Sequence, residues 1–342
     1  MPPSQYDGVY TEYSLVTLRL LLVRHGLSSF NVENKIQGRD DASILTADGL
    51  QQAKRVGKAI KDLPISAIYS SPLKRAASTT NEIINQFDAP IEPIYHKGLL
   101  EIELSAWSGL TSEEVESQFP EKYLEWKVNP EELRLKRENG EEYKPISDLI
   151  NQAHEFVNEI VQRHSSKENE TVVLVAHNAI LRCIIIDLLS KPNNLFRRLK
   201  INNASISVFN ITIKKREKYK VQIESLNVIT HLENEIPSKG KGPRLILVRH
   251  GETNWNKQGR FQGQIDIPLN ENGKLQAECT KEFLINVPIN KGISSPLSRP
   301  LETAKIILKD HRDINIKLEN DLIEIGHGLW EGKLESEIKK DW

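Results

Sequence analysis

Short apolar runs alternate along this chain with segments whose apolar positions recur every three to four residues. Leu18-Arg19-Leu20-Leu21-Leu22-Val23 and Thr171-Val172-Val173-Leu174-Val175-Ala176 are near-continuous, the signature of strands covered on both faces of a parallel sheet. Ile65–Ser70 reads as another strand, and Ile91–Ile94 as a short one that Pro93 confines to an edge. Between them, Thr46 caps a helix to Lys61 whose inward face is Leu50, Ala53, Val56, Gly57 and Ile60. Leu73–Phe87 is the next helix. A largely polar helical stretch runs from Ser112 to about Arg163, interrupted at Pro130, Gly140 and Pro145, and an apolar helix follows His177. Ala204–Thr212 and Tyr219–Asn227 close the pattern as a hairpin. Strands alternating with helices predict an α/β sheet covered on both sides, with its chemistry at the carboxyl ends of the strands.

The pattern then starts again. Leu22-Val23-Arg24-His25-Gly26 returns as Leu247-Val248-Arg249-His250-Gly251, 225 residues later. Arg75 and Arg299 are 224 apart, and the pairs Glu101/Glu324 and Trp107/Trp330 are each 223 apart. Register held this closely over four landmarks identifies a tandem repeat. The order is an N-terminal extension over 1–17, a first domain over 18–229, a linker over 230–243 and a second copy over 244–342. Pro237-Ser238-Lys239-Gly240-Lys241-Gly242-Pro243 supplies the breakers of the linker.

Composition narrows the function. With 46 basic and 47 acidic residues the formal charge is −1, so no global field recruits nucleic acid or an acidic membrane. The run Lys214–Lys218 reads as a solvated strand end. Two cysteines, Cys183 and Cys279, offer no disulfide framework and fit a reducing, cytoplasmic setting. The first residues lack the basic and apolar segments of a secretory signal, and no apolar run approaches the roughly 20 residues that span a bilayer. His96, His154, His164, His231, His311 and His327 read as surface or loop residues. No metal-ligand spacing is present, and no metal or cofactor is expected.

Three residues at strand ends carry the chemistry. Arg24, His25 and His177 close two different apolar runs. A neutral imidazole can attack phosphorus and leave again, and phosphoryl transfer asks mainly for positive groups around the equatorial oxygens. Arg24 is adjacent, Arg75 opens a helix, and a protonated His177 would donate to the phosphoryl group. Glu101, after Leu99-Leu100, is placed to protonate the departing oxygen. Glu103 is a rival for that role, but it faces Gly326 in the repeat where Glu101 faces Glu324.

These residues resemble the histidine phosphatase superfamily in its phosphoglycerate-mutase-like branch. The ordered set is Arg24-His25-Gly26, Asn31, Gln37-Gly38, Ser70-Ser71-Pro72-Leu73-Lys74-Arg75, Glu101 with Trp107-Ser108-Gly109, and Ala176-His177-Asn178. The resemblance implies a three-layer α/β/α sandwich with a mostly parallel central sheet, followed by a partial second copy. It implies that His25 becomes phosphohistidine, that Arg24, Arg75 and His177 form the phosphate pocket with Asn31, Gln37 and Gly38 lining it, and that Glu101 is the acid. A small phosphorylated metabolite is the implied partner, and a homodimer is compatible with it.

The second copy follows the family pattern more closely, in Arg249-His250-Gly251-Glu252-Thr253-Asn254-Trp255-Asn256, Gln262-Gly263 and Asp266-Ile267-Pro268-Leu269. In the first, Leu27 stands opposite Glu252, Lys35 opposite Arg260 and Ser43 opposite Pro268, and Asn178 replaces a small residue. Yet the second copy offers only Arg249, His250, Arg299 and Glu324, with no counterpart of strand 171–176 or His177. It is expected to be catalytically incomplete and unstable alone. Trp107 and Trp330 read as packing residues, and 131–142 as a solvated lid. The segment Phe119–Trp126 with Asn139–Tyr143 resembles the cap of phosphatase members, so a phosphomonoesterase is favoured over a mutase or a non-catalytic phosphate-binding scaffold.

Overall fold

The computed structural model describes residues 16–137, 139–165, 169–213, 219–232, 236, 240–312 and 314–341. The charged run at 214–218 and most of the N-terminal extension lie outside the described residues. The chain divides into two compact units, Met1–Asn234 and Glu235–Trp342.

In the first unit, β1 (Val16–Arg24), β2 (Ile65–Ser70), β3 (Ile94–Tyr95), β6 (Glu170–Ala176), β7 (Ile206–Ile213) and β8 (Lys220–Val228) form one sheet in the order β3-β2-β6-β1-β7-β8. The pairs β2–β3, β2–β6 and β1–β6 are parallel, while β1–β7 and β7–β8 are antiparallel. β1 and β6 are central, which is why their sequences are apolar on both faces. Leu18, Leu20, Leu22, Val172 and Leu174 pack on one side with α6 (Pro145–Arg163) and α7 (Asn178–Leu188). Leu21, Val23, Val173 and Val175 pack on the other with α2 (Ala47–Ile60) and α3 (Lys74–Ile84). The result is the expected three-layer sandwich. Thr46 caps α2 by accepting from the Gly49 amide.

Several local expectations change. Pro93 precedes the edge strand rather than lying in it, because β3 is only Ile94–Tyr95. The stretch after Ser112, read as helical with interruptions at Pro130, Gly140 and Pro145, is also broken at Phe119 and includes a strand pair. It breaks into α4 (Ser112–Gln118), α5 (Pro120–Val128) and a hairpin of β4 (Leu135–Lys136) with β5 (Glu142–Tyr143), turning at Gly140 with φ +85°. Leu133 and Leu135 are buried, so the lid segment is anchored and not wholly solvated. The first unit runs past 229, since Thr230–Leu232 forms a 3-10 turn that buries Leu232 and whose Leu232 carbonyl accepts from Arg55. His164 is buried rather than superficial, held between Glu170 and the Tyr69 hydroxyl. A polar group at that depth needs such partners, and they come from elements its own neighbourhood does not reveal.

The second unit contains α8 (Asn254–Gln258), α9 (Glu271–Leu284), β9 (Gly292–Ser294), α10 (Ser298–Leu308), β10 (Ile316–Leu318) and α11 (Glu335–Asp341). β9 and β10 pair in parallel. Leu245–Val248, the counterpart in the repeat of the apolar run 20–23, forms no strand, because among the described residues of this unit nothing pairs with it. Leu245 and Leu247 are 81% and 84% exposed, forfeiting roughly 1.5–3 kcal/mol of burial each. Trp330, read as a packing residue, is 40% exposed. Among the described residues no helix is long and apolar enough to cross a membrane.

A contact not legible in the motifs seats the turn after β1. A Cβ on Gly26 would lie 2.3 Å from the Gly49 carbonyl oxygen, and one on Gly49 would lie 2.1 Å from that of Leu27. Backbone thus meets backbone where α2 begins, and Gly251 and Gly273 repeat the arrangement at 2.3 and 2.1 Å. Gly49→Ala should destabilise the first unit by about 1–3 kcal/mol, read as a lower midpoint in thermal unfolding. An unchanged midpoint would show that the two segments separate freely.

Candidate active site

The parallel register of β1 with β6 sets Arg24 opposite Ala176. The next residues, His25 and His177, therefore emerge side by side, with ring centroids 5.2 Å apart. The His25 amide donates to the Ala176 carbonyl at 2.9 Å, continuing the ladder to His25 itself. Its ring is 2% exposed, and Nδ1 lies 2.7 Å from the Gly26 carbonyl oxygen. A carbonyl only accepts, so Nδ1 carries the hydrogen and Nε2 keeps a lone pair. Burial, and then the charges of Arg24 and Arg75, hold the His25 pKa well below its ordinary value. The imidazole is neutral and correctly tautomeric for attack through Nε2.

Three donors surround it. Arg75 is fully buried at the start of α3, with Nη1 and Nη2 spent on the carbonyls of Asp40 and Gly38 at 2.7 and 2.8 Å. Gly38 adopts φ +50°, which suits glycine, and so turns its carbonyl to the guanidinium. Arg24 donates through Nη1 to the Ile201 carbonyl at 2.7 Å. Its pKa is pushed down to about 10, first by burial. The Nε groups of Arg24 and Arg75 and Nδ1 of His177 are buried and make no hydrogen bond among the described residues. Burial, Arg75 and His25 lower the His177 pKa well below its usual value, so the charged form expected for donation is disfavoured. A neutral ring still donates: the Ser71 hydroxyl, 2.7 Å from Nε2, can supply that nitrogen's hydrogen and leave the ring hydrogen on Nδ1.

Glu101 is 8% exposed at the amino end of α7. Its carboxylate accepts from the amides of Ile102, Ala179 and Ile180 at 2.9–3.1 Å. Arg39 fixes the same segment by donating to the Glu101 carbonyl at 2.9 Å. The carboxylate lines a cavity of about 280 Å³ with Arg24, His25, Asn31, Gln37, Gly38 and Arg75. Glu103 lines a different cavity, with Arg39, Arg137 and Tyr143. Of the two acids, Glu101 shares the cavity of His25 and Glu103 does not.

Other residues were not legible beforehand. Asn203 donates to the carbonyls of His25 and Gly26 and to Asn31 Oδ1 at 3.0–3.2 Å, fixing the turn from across the sheet. Arg182, Arg197, Trp126 and Phe196 line the same cavity. Two of them left a trace in the sequence, Trp126 in the cap-like segment Phe119–Trp126 and Arg182 as a lone cation in the apolar run Leu181–Ile186. Among the described residues no group of three or more His, Cys, Asp or Glu side chains could hold a metal ion.

The second unit repeats the local geometry in part. His250 Nδ1 lies 2.7 Å from the Gly251 carbonyl oxygen, and Arg299 donates to the carbonyls of Gly263 and Ile265. Here, however, Arg299 Nε donates to His250 Nε2 at 3.3 Å, engaging the lone pair that is free in His25. Arg249 and Glu324 are exposed.

Residues 20–224 and 245–342 both match the family described as the histidine phosphatase superfamily, branch 1. The chain is 28% identical over 299 residues to 2-carboxy-D-arabinitol-1-phosphatase of Triticum aestivum, covering 84% of this chain and 57% of that one. It thus spans little more than half the length of that relative. Phosphoserine phosphatase 1 of Hydrogenobacter thermophilus is 32% identical over 215 residues, covering 63% of this chain and 94% of that one. Among solved structures, phosphoserine phosphatase from Entamoeba histolytica, in complex with 3-phosphoglyceric acid, superposes with a TM-score of 0.52 at 28% identity, covering 63% of this chain and 99% of that one.

Because both site histidines are held neutral, they bind fewer protons folded than unfolded just below the ordinary pKa of about 6.5. Stability should therefore fall as pH drops through about 6.5 toward their folded values. Histidine NMR titration should place the His25 and His177 midpoints well below 6.5. A midpoint at or above 6.5 for His25 would contradict the assigned tautomer and its lone pair.

Proposed function

The chain belongs to branch 1 of the histidine phosphatase superfamily, and on that premise we propose that it is a phosphomonoesterase acting on a small phosphorylated metabolite through phosphohistidine at His25. One observation carries the reading: a buried, neutral His25 with its Nε2 lone pair free, beside the uncommitted Nε groups of Arg24 and Arg75. Phosphoryl oxygens accept from those two groups and from His177 Nδ1. Asn31, Gln37 and Gly38 shape the surrounding wall.

In the first step His25 Nε2 bonds to phosphorus as the ester P–O bond breaks. The electron pair leaves on the alcohol oxygen, which takes its proton from Glu101. The carboxylate so formed faces the amides of Ala179 and Ile180, where the start of α7 stabilises the negative charge. In the second step Glu101 removes a proton from water, water oxygen bonds to phosphorus, and the P–N bond breaks to return neutral His25 and inorganic phosphate. In the second unit the Arg299–His250 bond opposes the same attack, so turnover is assigned to the first. The two free cysteines, one of them exposed, accord with a reducing, cytoplasmic setting.

Phosphate release from a panel of monoesters tests the reading. His25→Ala should lower kcat/KM by roughly a thousandfold or more, and Glu101→Gln by roughly a hundred- to ten-thousandfold. Acid-labile phosphate should label the native protein and not His25→Ala, although His250 remains. Label retained in that variant would move the chemistry elsewhere. Phosphoglycerate interconversion without phosphate release would make the protein a mutase, and phosphate binding without label would make it a scaffold.

A further inference from the structure

Residues 100–104, which carry Glu101, belong to no helix or strand, so no regular ladder sets where the carboxylate points. Its front is tied by the amides of Ala179 and Ile180. Its back is tied by side chains from three separate parts of the chain. Gln152 of α6 donates through Nε2 to the carbonyls of Gly98 and Leu100 at 3.1 and 2.9 Å. Arg39 Nε donates to the Glu101 carbonyl at 2.9 Å, and the Tyr143 hydroxyl of β5 to the Glu103 carbonyl at 3.1 Å.

Arg39 and Gln152 act as one bracket, because Arg39 Nη2 donates to Gln152 Oε1 at 3.0 Å. That bond fixes which way the Gln152 amide faces, since a flip would set its oxygen against two carbonyls that only accept. The turn that carries Arg39 also orders the phosphate pocket. The Gly38 carbonyl accepts from Arg75 Nη2, and a Cβ on Gly38 would lie 3.3 Å from the Ile102 carbonyl oxygen and from the Leu104 nitrogen. Adjacent residues thus index Arg75 and Glu101 to a single turn. The second unit repeats the connection with a different side chain: Gln264 stands where the first copy has Arg39, and its Nε2 donates to the Glu324 carbonyl at 3.2 Å. What the two copies share is the bond to the acid's carbonyl, not the charge.

We propose that Arg39 and Gln152 are positioning residues for Glu101, holding its carboxyl where the departing oxygen takes its proton; the proposal rests on the phosphatase reading. Arg39 is exposed and lines the cavity of Glu103 rather than that of His25, so it reaches the reaction through Glu101. A displacement of about 1 Å costs a reacting group on the order of a hundredfold in rate. Phosphate contacts at Arg24 and Arg75 stay in place when the bracket is cut. The loss therefore falls on esters whose leaving oxygen needs a proton and spares those whose oxygen does not.

Two leaving groups compared in kcat/KM, which reports the steps through phosphohistidine formation, test the bracket. p-Nitrophenyl phosphate sheds a phenolate that leaves without a proton. The alkyl phosphate of the monoester panel that the native protein cleaves fastest needs one. Arg39→Met should lower kcat/KM for the alkyl ester by roughly ten- to a hundredfold, and for p-nitrophenyl phosphate by less than about threefold. Arg39→Gln, which keeps a donor for the Glu101 carbonyl as the second copy does, should recover most of the loss. In the Glu101→Gln protein Arg39→Met should cost nothing further, because the group it positions is gone. Gln152→Leu should show the same selective loss, and it decides the matter if Arg39→Met fails to fold. Equal losses for the two esters, no loss, or an added loss in the Glu101→Gln background overturns the positioning role alone. Phosphate release from neither ester by the native protein overturns the phosphatase reading, and the positioning role falls with it.

Discussion

The hydrogen-bonded register between β1 and β6 is the constraint on which the rest of the first unit depends. Arg24 faces Ala176, and the ladder extends one step further to the His25 amide. That pairing turns two residues 152 positions apart into neighbouring rings. A shift by one residue would invert every side chain on a central strand, sending Leu21 and Val23 to the wrong layer and His25 away from His177. The hydrophobic pattern on both faces therefore enforces the site. The second unit shows the converse: a nearly identical segment stays unpaired and mostly exposed where no flanking strand is present among its described residues.

Within that frame the site opposes its own stability. Three arginines and two imidazoles are withdrawn from water, and burial is the first cause of the lowered pKa at Arg24, Arg75, Arg182, His25 and His177. Uncompensated positive charge at this density is costly. It is held by carbonyls at Gly38, Asp40 and Ile201, by the aromatic face of Phe196, and by the close glycine contact beneath the turn. These supports are local and rigid, as preorganised electrostatics require. Neutral histidine is their consequence, since added protons would meet like charge. In the second unit the same Arg–His pair relaxes into a direct hydrogen bond.

Much of the architecture is visible in one dimension because it repeats with short periods. Apolar runs at 18–23 and 171–176 mark buried strands, and the period of Leu50, Ala53 and Val56 marks a helix that Thr46 caps. Irregular stretches are less legible. The lid hairpin at 135–143 has two residues per strand, too few to set up an alternation, and its charged composition hides the buried Leu133 and Leu135. His164 likewise looks like an ordinary polar position until Tyr69, from a strand far away in the chain, is packed beside it.

The sequence by itself determined the class of fold and marked Arg24, His25, Arg75, Glu101 and His177 as candidates, because strand ends, glycine turns and a repeated order are local features. Only the tertiary structure decided their states and neighbours. Burial among arginines favours the neutral form of both histidines, the start of α7 receives the Glu101 carboxylate while Glu103 lines another cavity, and Arg182 becomes a pocket residue where α7 meets Phe196. Each of these depends on groups far apart in the chain and on the dielectric they share. That is a property of packing, which no spacing along the chain encodes.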